Sequence, residues 1–289
     1  MRGWWQDLTD LVLPAECGGC GRPRTVLCPE CRAALSGAVP RRVRPVPEPR
    51  GLPVVHAAAP YADAVRAVLL AHKERGALPL ARPLGVALAG AVRAGAAGVP
   101  EGPVLLVPVP SGRGAVRARG HDPARRTALA AAAELRRTGT PARVLAVLRQ
   151  RRPVADQAGL DARQRLENLA GALSVTAGGA RLLCEGRVVL VDDVMTTGAS
   201  LTEAARAVRV TLAEETAGYG GAASATRGDV VTAVYEGVLG ERRQERMTGS
   251  MEGSTDREWA VRGKAKSDRN AISAAVVAAS PDSFEINRN

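Results

Sequence analysis

Aromatic side chains are nearly missing from this chain: they make up 2% of its 289 residues, with a single Phe. A core must therefore be assembled from Ala, Val and Leu, which is feasible because a chain of this length buries most of its unfolded surface. Also missing is any stretch of about 18 uncharged apolar residues, since Arg82 and Arg93 interrupt the best candidate. That excludes an evident membrane-spanning helix. The opening MRGWWQDLTDLVLP carries Asp7 and Asp10 where a secretory signal would hold an unbroken apolar stretch. The expectation is a cytoplasmic protein without membrane insertion, whose reduced cysteines serve metal rather than disulfides.

Positive charge is abundant. The formal net charge is +11, but residues 1–210 carry an excess of +13 and residues 211–289 one of −2. Most of the cations are Arg, whose planar fork matches phosphate. Nucleic acid, nucleotides and sugar phosphates are thus partners that the charge allows. A codon bias toward Arg and Ala would produce the same excess.

The length suits one main domain with a satellite. Residues 1–13 read as a short amphipathic helix with Trp4, Trp5, Leu8, Leu11 and Val12 on roughly one side. Residues 1–36 form a first module that includes the cysteine cluster. Residues 37–53 are rich in Pro and Arg and read as an extended linker. From residue 54 to 289 the pattern becomes α/β. A short strand is followed by helical segments broken at Gly76 and Pro79. Strands are expected at Val104–Val109, Arg143–Leu148, Arg187–Val191 and Ala274–Ala279, and helices at Pro123–Arg137 and Gly198–Arg209. Apolar runs alternating with helices predict a mainly parallel sheet covered on both faces. Residues 211–272 break this rhythm and read as an insertion that loops out, with a small strand at Asp229–Tyr235.

Four of the five cysteines lie in Cys17-Gly-Gly-Cys20 and Cys28-Pro-Glu-Cys31. Each CxxC knuckle places its thiolates on one tight turn, and two facing knuckles complete a tetrahedral sulfur site. Gly18, Gly19 and Gly21 leave room for backbone amides near the sulfurs. Four soft ligands with no open position point to structural Zn2+; a redox pair would not require the second knuckle. Cys184 reads as a core or edge thiol.

The segment with most chemical content is RVVLVDDVMTTGASLT, residues 187–202. An apolar strand ends, Asp192 and Asp193 follow, and Thr196-Thr197-Gly198-Ala199-Ser200 opens a helix. Helix N-termini present unpaired N–H groups and the positive dipole end, which suits phosphate. The Thr and Ser hydroxyls add donors, and Gly198 lets the backbone approach closely. Carboxylates beside a phosphate site make sense once a sugar is included, because they accept hydrogen bonds from ribose hydroxyls and hold Mg2+ through water. The plain alternative is an N-capped helix, which needs only one such residue.

This segment closely resembles the phosphoribosyl-diphosphate signature of type I phosphoribosyltransferases. The resemblance implies that family's α/β fold, Mg2+ dependence, ribose contacts at Asp192 and Asp193, and a 5-phosphate held by Thr196, Thr197, Gly198, Ala199 and Ser200. The 6-oxopurine enzymes of the family carry an Asp base two residues before this glycine, where this chain has Thr196, so hypoxanthine or guanine salvage is disfavoured. VPVPSGRGAVRARGHDPARRTALA (107–130), DQAGLDARQRLENLAGAL (156–173) and the cysteine knuckles together resemble the ComF family of competence-associated phosphoribosyltransferase-like proteins. The likeness covers roughly residues 1–210 and 273–289. Members more often read RGFNQ where this chain has Arg119-Gly120-His121-Asp122-Pro123.

By that resemblance Pro110–Gly114, with Ser111, Gly112 and Arg113, is the diphosphate loop, and Arg117 and Arg119 neutralise the leaving diphosphate. Lys73 and Arg75 lie in a stretch similar to the family's early Lys-x-x-Gly and are candidates for the same cleft. His121 is either an assistant or a structural group. Gln157, Arg163, Arg165 and Asn168 mark a lid, a nucleic-acid contact or a plain exposed helix face. The activity implied is Mg2+-dependent transfer of a phosphoribosyl group from phosphoribosyl diphosphate to an acceptor that no residue pattern specifies. The alternatives are a module of the DNA-uptake machinery that binds single-stranded DNA or a partner protein without turnover, and a regulator that senses the phosphoribosyl ligand. Scarce aromatics count against sequence-independent single-strand binding, which relies on base stacking.

Overall fold

In the computed structural model the described residues are 16–96, 102–155, 159–219 and 272–287. The helix expected over residues 1–13, Gln157 and the strand expected at Asp229–Tyr235 lie outside them. The elements, in chain order, are α1 (Pro29–Ser36), β1 (Arg41–Val43), β2 (Val54–Pro60), α2 (Asp63–Lys73), α3 (Ala81–Ala96), β3 (Val104–Pro108), α4 (Arg113–Arg119) and α5 (Pro123–Arg137). They continue with β4 (Ala142–Val144), β5 (Leu148–Gln150), α6 (Ala162–Leu169), β6 (Leu173–Val175), α7 (Gly179–Leu183), β7 (Arg187–Met195), α8 (Ala199–Tyr219) and β8 (Ser273–Ala279).

The main sheet has the order β1-β2-β8-β7-β3-β4. Only β1 is antiparallel to its neighbour; the other pairings are parallel. The α/β expectation, with a mostly parallel sheet flanked by helices, therefore holds. Side chains on β7 alternate between layers as strand geometry requires: Val189 and Val191 enter one core cluster, Val188 and Leu190 the other.

Helical periodicity sets the two covering layers. On α3, Leu84, Ala87, Leu88, Ala91 and Val92 are buried; on α5, Ala124, Ala128, Ala131, Ala132 and Leu135. These recur at three- and four-residue spacing and form one apolar stripe per helix. Small residues let the two helices pack closely: a Cβ on Gly85 would lie 2.4 Å from that of Ala130. On the opposite face α8 buries Leu201, Ala204, Ala205 and Val208. Each buried Val or Leu stabilises the fold by about 1.5–3 kcal/mol, so a layer of Val, Leu and Ala needs no aromatic anchor.

Four sequence expectations change. The Pro/Arg segment contributes β1 to the sheet edge rather than only bridging two modules, because Arg41–Val43 pair with Val55–Ala57. The strand expected over 143–148 divides into β4, on the main sheet, and β5, which pairs with β6 in a separate two-stranded ribbon. Strand β7 continues through both aspartates to Met195, supported by β8 alongside. Finally, α8 runs to Tyr219, so the first residues assigned to the insertion are helical.

Candidate functional site

The connection after β3 leads to β4 on one side, and that after β7 leads to β8 on the other. Strands β3 and β7 are adjacent, and open α/β sheets bind ligands at such a switch point beyond the strand carboxyl ends. A cleft of about 940 Å³ opens there. Its floor is Asp192, Asp193 and Val194 on β7, with Thr196 and Ser200 beyond; one wall is Val109–Gly112, and another is Tyr61, Leu69, Leu70, Lys73 and Glu74. Residues 150–155 with Leu169 and Leu173 form the roof.

Asp192 and Asp193 are consecutive on a strand and so face opposite sides of it. Asp193 meets α2, where its Oδ2 lies 3.0 Å from Lys73 Nζ. Asp192 also lines a small cup of about 30 Å³ bounded by Val194–Leu201. Backbone amides hold the pair in place: Asp193 N–H donates to Asp192 Oδ1 and Val194 N–H to Asp193 Oδ1, both at 2.8 Å. Burial pushes the Asp192 carboxyl well above the usual carboxylate range, and the Asp193 charge adds to this, against Lys73. Burial opposes the Lys73 ammonium too, but the two carboxylates outweigh it and hold its pKa above the ordinary lysine value.

The cup is the N-terminus of α8. Gly198 precedes the helix at φ +77°, a left-handed conformation that costs other residues about 1–2 kcal/mol. A Cβ there would also lie 3.0 Å from Leu52 Cδ1. The first helical amides have no intrahelical partner, and Thr196, Thr197, Gly198, Ala199 and Ser200 all line the cup.

Across the cleft, Ser111 and Gly112 line the wall together with Gly114, and Arg113 and Gly114 are the first residues of α4 rather than part of a loop. Arg119 reaches the cleft: its Nε donates to Glu74 Oε2 at 3.0 Å, and its buried Nη1 has no hydrogen-bond partner. Arg117 is exposed on α4 and does not line the cleft, and Arg75 is likewise exposed outside it. His121 is a tie rather than a cleft residue. Its ring nitrogens lie 3.1 and 3.3 Å from the carbonyls of Arg119 and His72, joining the end of α4 to α2. The departure at Asp122-Pro123 starts α5: Asp122 caps it by accepting from Arg125 N–H, and Pro123 occupies the first turn.

The second predicted segment supports the roof. Asn168 Oδ1 accepts from Ala155 N–H, its Nδ2 donates to Ala155 C=O, and Arg152 donates to the carbonyls of Asn168 and Ala170. Arg163 is exposed and paired with Glu167 on its own helix, and Arg165 has a buried Nε without a partner. Sequence reasoning missed the cleft residues Tyr61, Glu74, Gln150, Arg151 and Arg152, since an Arg-Gln-Arg-Arg run reads as ordinary surface. It also missed Glu203, 5% exposed, and Arg206, which together clasp β6. Glu203 accepts from Leu173 N–H at 2.9 Å and Arg206 donates to Leu173 C=O at 3.1 Å, fastening the roof to α8.

The cysteine cluster lies apart from the cleft, on the face of α2 and α3. Its four Sγ atoms are within 4.8 Å of one another, and could hold a metal such as zinc. A tetrahedral site with Zn–S of about 2.3 Å requires S···S distances of about 3.8 Å, and Cys20 and Cys28 already stand 3.6 Å apart. Gly19 is required by contact, because a Cβ would lie 2.6 Å from Cys31 Sγ. Burial would raise the Cys17 thiol, but the N–H groups of Cys28, Cys20 and Gly19 outweigh it and hold it at about 6. Burial and the neighbouring thiols push Cys31 far up. Cys17, Cys28 and Cys31 share a core cluster with Leu80, Leu84 and Val68, so the module is continuous with the main domain. Cys184 is exposed at the end of α7.

Among the described residues no helix is long and apolar enough to cross a membrane. No protein-family model matches the chain, and no curated protein matches it either.

Proposed function

We propose that the chain is a ComF-like, type I phosphoribosyltransferase-like protein that binds 5-phosphoribosyl-1-diphosphate with Mg2+ and carries a structural Zn2+ on its four cysteines. The observation that carries this reading is the joint placement of two adjacent carboxylates and a glycine-preceded helix N-terminus at the switch point of a parallel sheet. The cup at Thr196–Ser200 suits the 5-phosphate, and Asp192 and Asp193 suit the vicinal ribose hydroxyls. Ser111, Gly112 and the unpartnered Nη1 of Arg119 suit the diphosphate.

The oxygen-only donor set of Asp192 and Asp193 fits Mg2+ carried in by the diphosphate, where the ion would neutralise phosphate charge. Transfer breaks the C1–O bond of the ribose, the electron pair leaves with the diphosphate, and the acceptor forms the new C1 bond. The protein's share is positioning and charge stabilisation by Arg119 and the amides around the cleft. Single-stranded DNA is the weaker reading: Tyr61 is the one aromatic lining the cleft among the described residues, whereas strand-binding grooves stack successive bases. The association with DNA uptake rests on the family resemblance.

Calorimetric titration of zinc-loaded protein with phosphoribosyl diphosphate and Mg2+ tests the reading. The Asp192→Asn/Asp193→Asn variant should bind at least about 100-fold more weakly, since it loses two charge-assisted hydrogen bonds. Equal affinity in the two proteins, or no binding by folded wild type, would overturn it.

A further inference from the structure

Among 40 basic side chains only three are lysines, and Lys73 is the only one in the first 263 residues. It closes α2 with Nζ 3.0 Å from Asp193 Oδ2, and its side chain is 36% exposed toward the cleft that Asp192 and Asp193 also line. Among the described residues the other ion-paired acids take arginine, Glu30, Glu74, Glu185 and Glu203 among them. The difference has a chemical meaning. A guanidinium locks a carboxylate through its rigid fork, whereas an ammonium is a point charge on a flexible stem with rotatable donors.

We propose that Lys73 is an exchangeable counter-cation: it occupies Asp193 in the free protein and passes to the ligand's diphosphate when a divalent cation takes the carboxylate. The inference rests on reading the cleft as a phosphoribosyl diphosphate site. The neighbourhood favours the exchange. Glu74, the next residue, is already held by Arg119, and the cleft between α2 and the Val109–Gly112 wall is where the anion would arrive. Without Lys73 two adjacent carboxylates would repel one another, so the lysine also keeps the free site intact until ligand enters.

Lys73→Met, which keeps the stem and removes the charge, separates this role from a structural one. Two probes are used on the full chain: Mn2+ alone, followed by its electron paramagnetic resonance signal, and metal-free inorganic diphosphate, followed by calorimetry. Loss of one close charge should tighten Mn2+ by about tenfold and weaken diphosphate by about tenfold. A merely structural residue would move both affinities the same way, together with the melting temperature. Lys73→Arg should retain diphosphate and bind Mn2+ no more tightly than wild type. Unchanged or weaker Mn2+ binding by a folded Lys73→Met protein, or tighter binding by Lys73→Arg, overturns the exchange. Failure of wild type to bind Mg2+ with phosphoribosyl diphosphate overturns the reading of the cleft instead, and the opposed shifts still decide the role of Lys73.

Discussion

Removing the Glu203 carboxylate should loosen the roof of the cleft more than any surface change nearby. Glu203 is 5% exposed; Arg206 Nε and Nη2 donate to its two oxygens at 2.7 and 2.8 Å, and Leu173 N–H donates to it at 2.9 Å. In Glu203→Ala the buried Leu173 N–H loses its acceptor, at a cost of about 1–3 kcal/mol. Arg206 keeps its bond to the Leu173 carbonyl but loses its carboxylate, which for a fully buried pair costs about 3–5 kcal/mol. Because Arg206 remains 31% exposed, water recovers much of that second cost. A total of about 3 kcal/mol follows, equivalent to a fall of about 6–12 °C in melting temperature for a domain of this size. Hydrogen exchange at the Leu173 amide reads the same quantity locally and should accelerate by about 100-fold. Glu203→Gln keeps the acceptor oxygen and should lose only about 1 kcal/mol. A Glu203→Ala protein that melts with wild type and protects Leu173 equally would refute the clasp.

Zinc analysis of the purified protein should find about one ion per chain, and Cys28→Ser should lose it and melt at least about 10 °C lower, because the cluster shares its core with α2 and α3. A zinc-free, fully stable wild type would contradict this. The pH dependence of Asp192→Asn tests the carboxyl pair. The raised pKa of Asp192 means that the native state holds its proton more tightly than the unfolded chain. Its stabilising contribution is therefore complete below the ordinary carboxyl range and lost as pH rises through the raised value. Asp192→Asn should melt above wild type at about pH 8, with the gap closing by about pH 4; a gap independent of pH would remove the argument.

Much of the site was legible from local pattern. The cysteine spacing specified two facing knuckles, and the DDVMTTGAS run specified carboxylates beside a helix N-terminus. The apolar runs at 104–109 and 274–279 specified buried strands, all within ±1 residue of β3 and β8. Boundaries failed where support comes from elsewhere in the chain. Strand β7 extends past Val191 because Asp192, Val194 and Met195 find partners on β8, and β1 exists only because β2 offers an edge.

Choosing between Arg117 and Arg119 likewise required the tertiary structure, since both lie on one short helix and only Arg119 reaches Glu74 and the cleft. The amino-acid sequence by itself determined the α/β class, the thiol cluster and the carboxylates beside a helix N-terminus, because periodicity, turn chemistry and ligand spacing act between near neighbours. Only the packed fold decided that Lys73 meets Asp193, that His121 ties two helices and that Glu203 fastens the roof. Those contacts join residues far apart in the chain, and which of many chemically equivalent charges meet is set by how the layers stack.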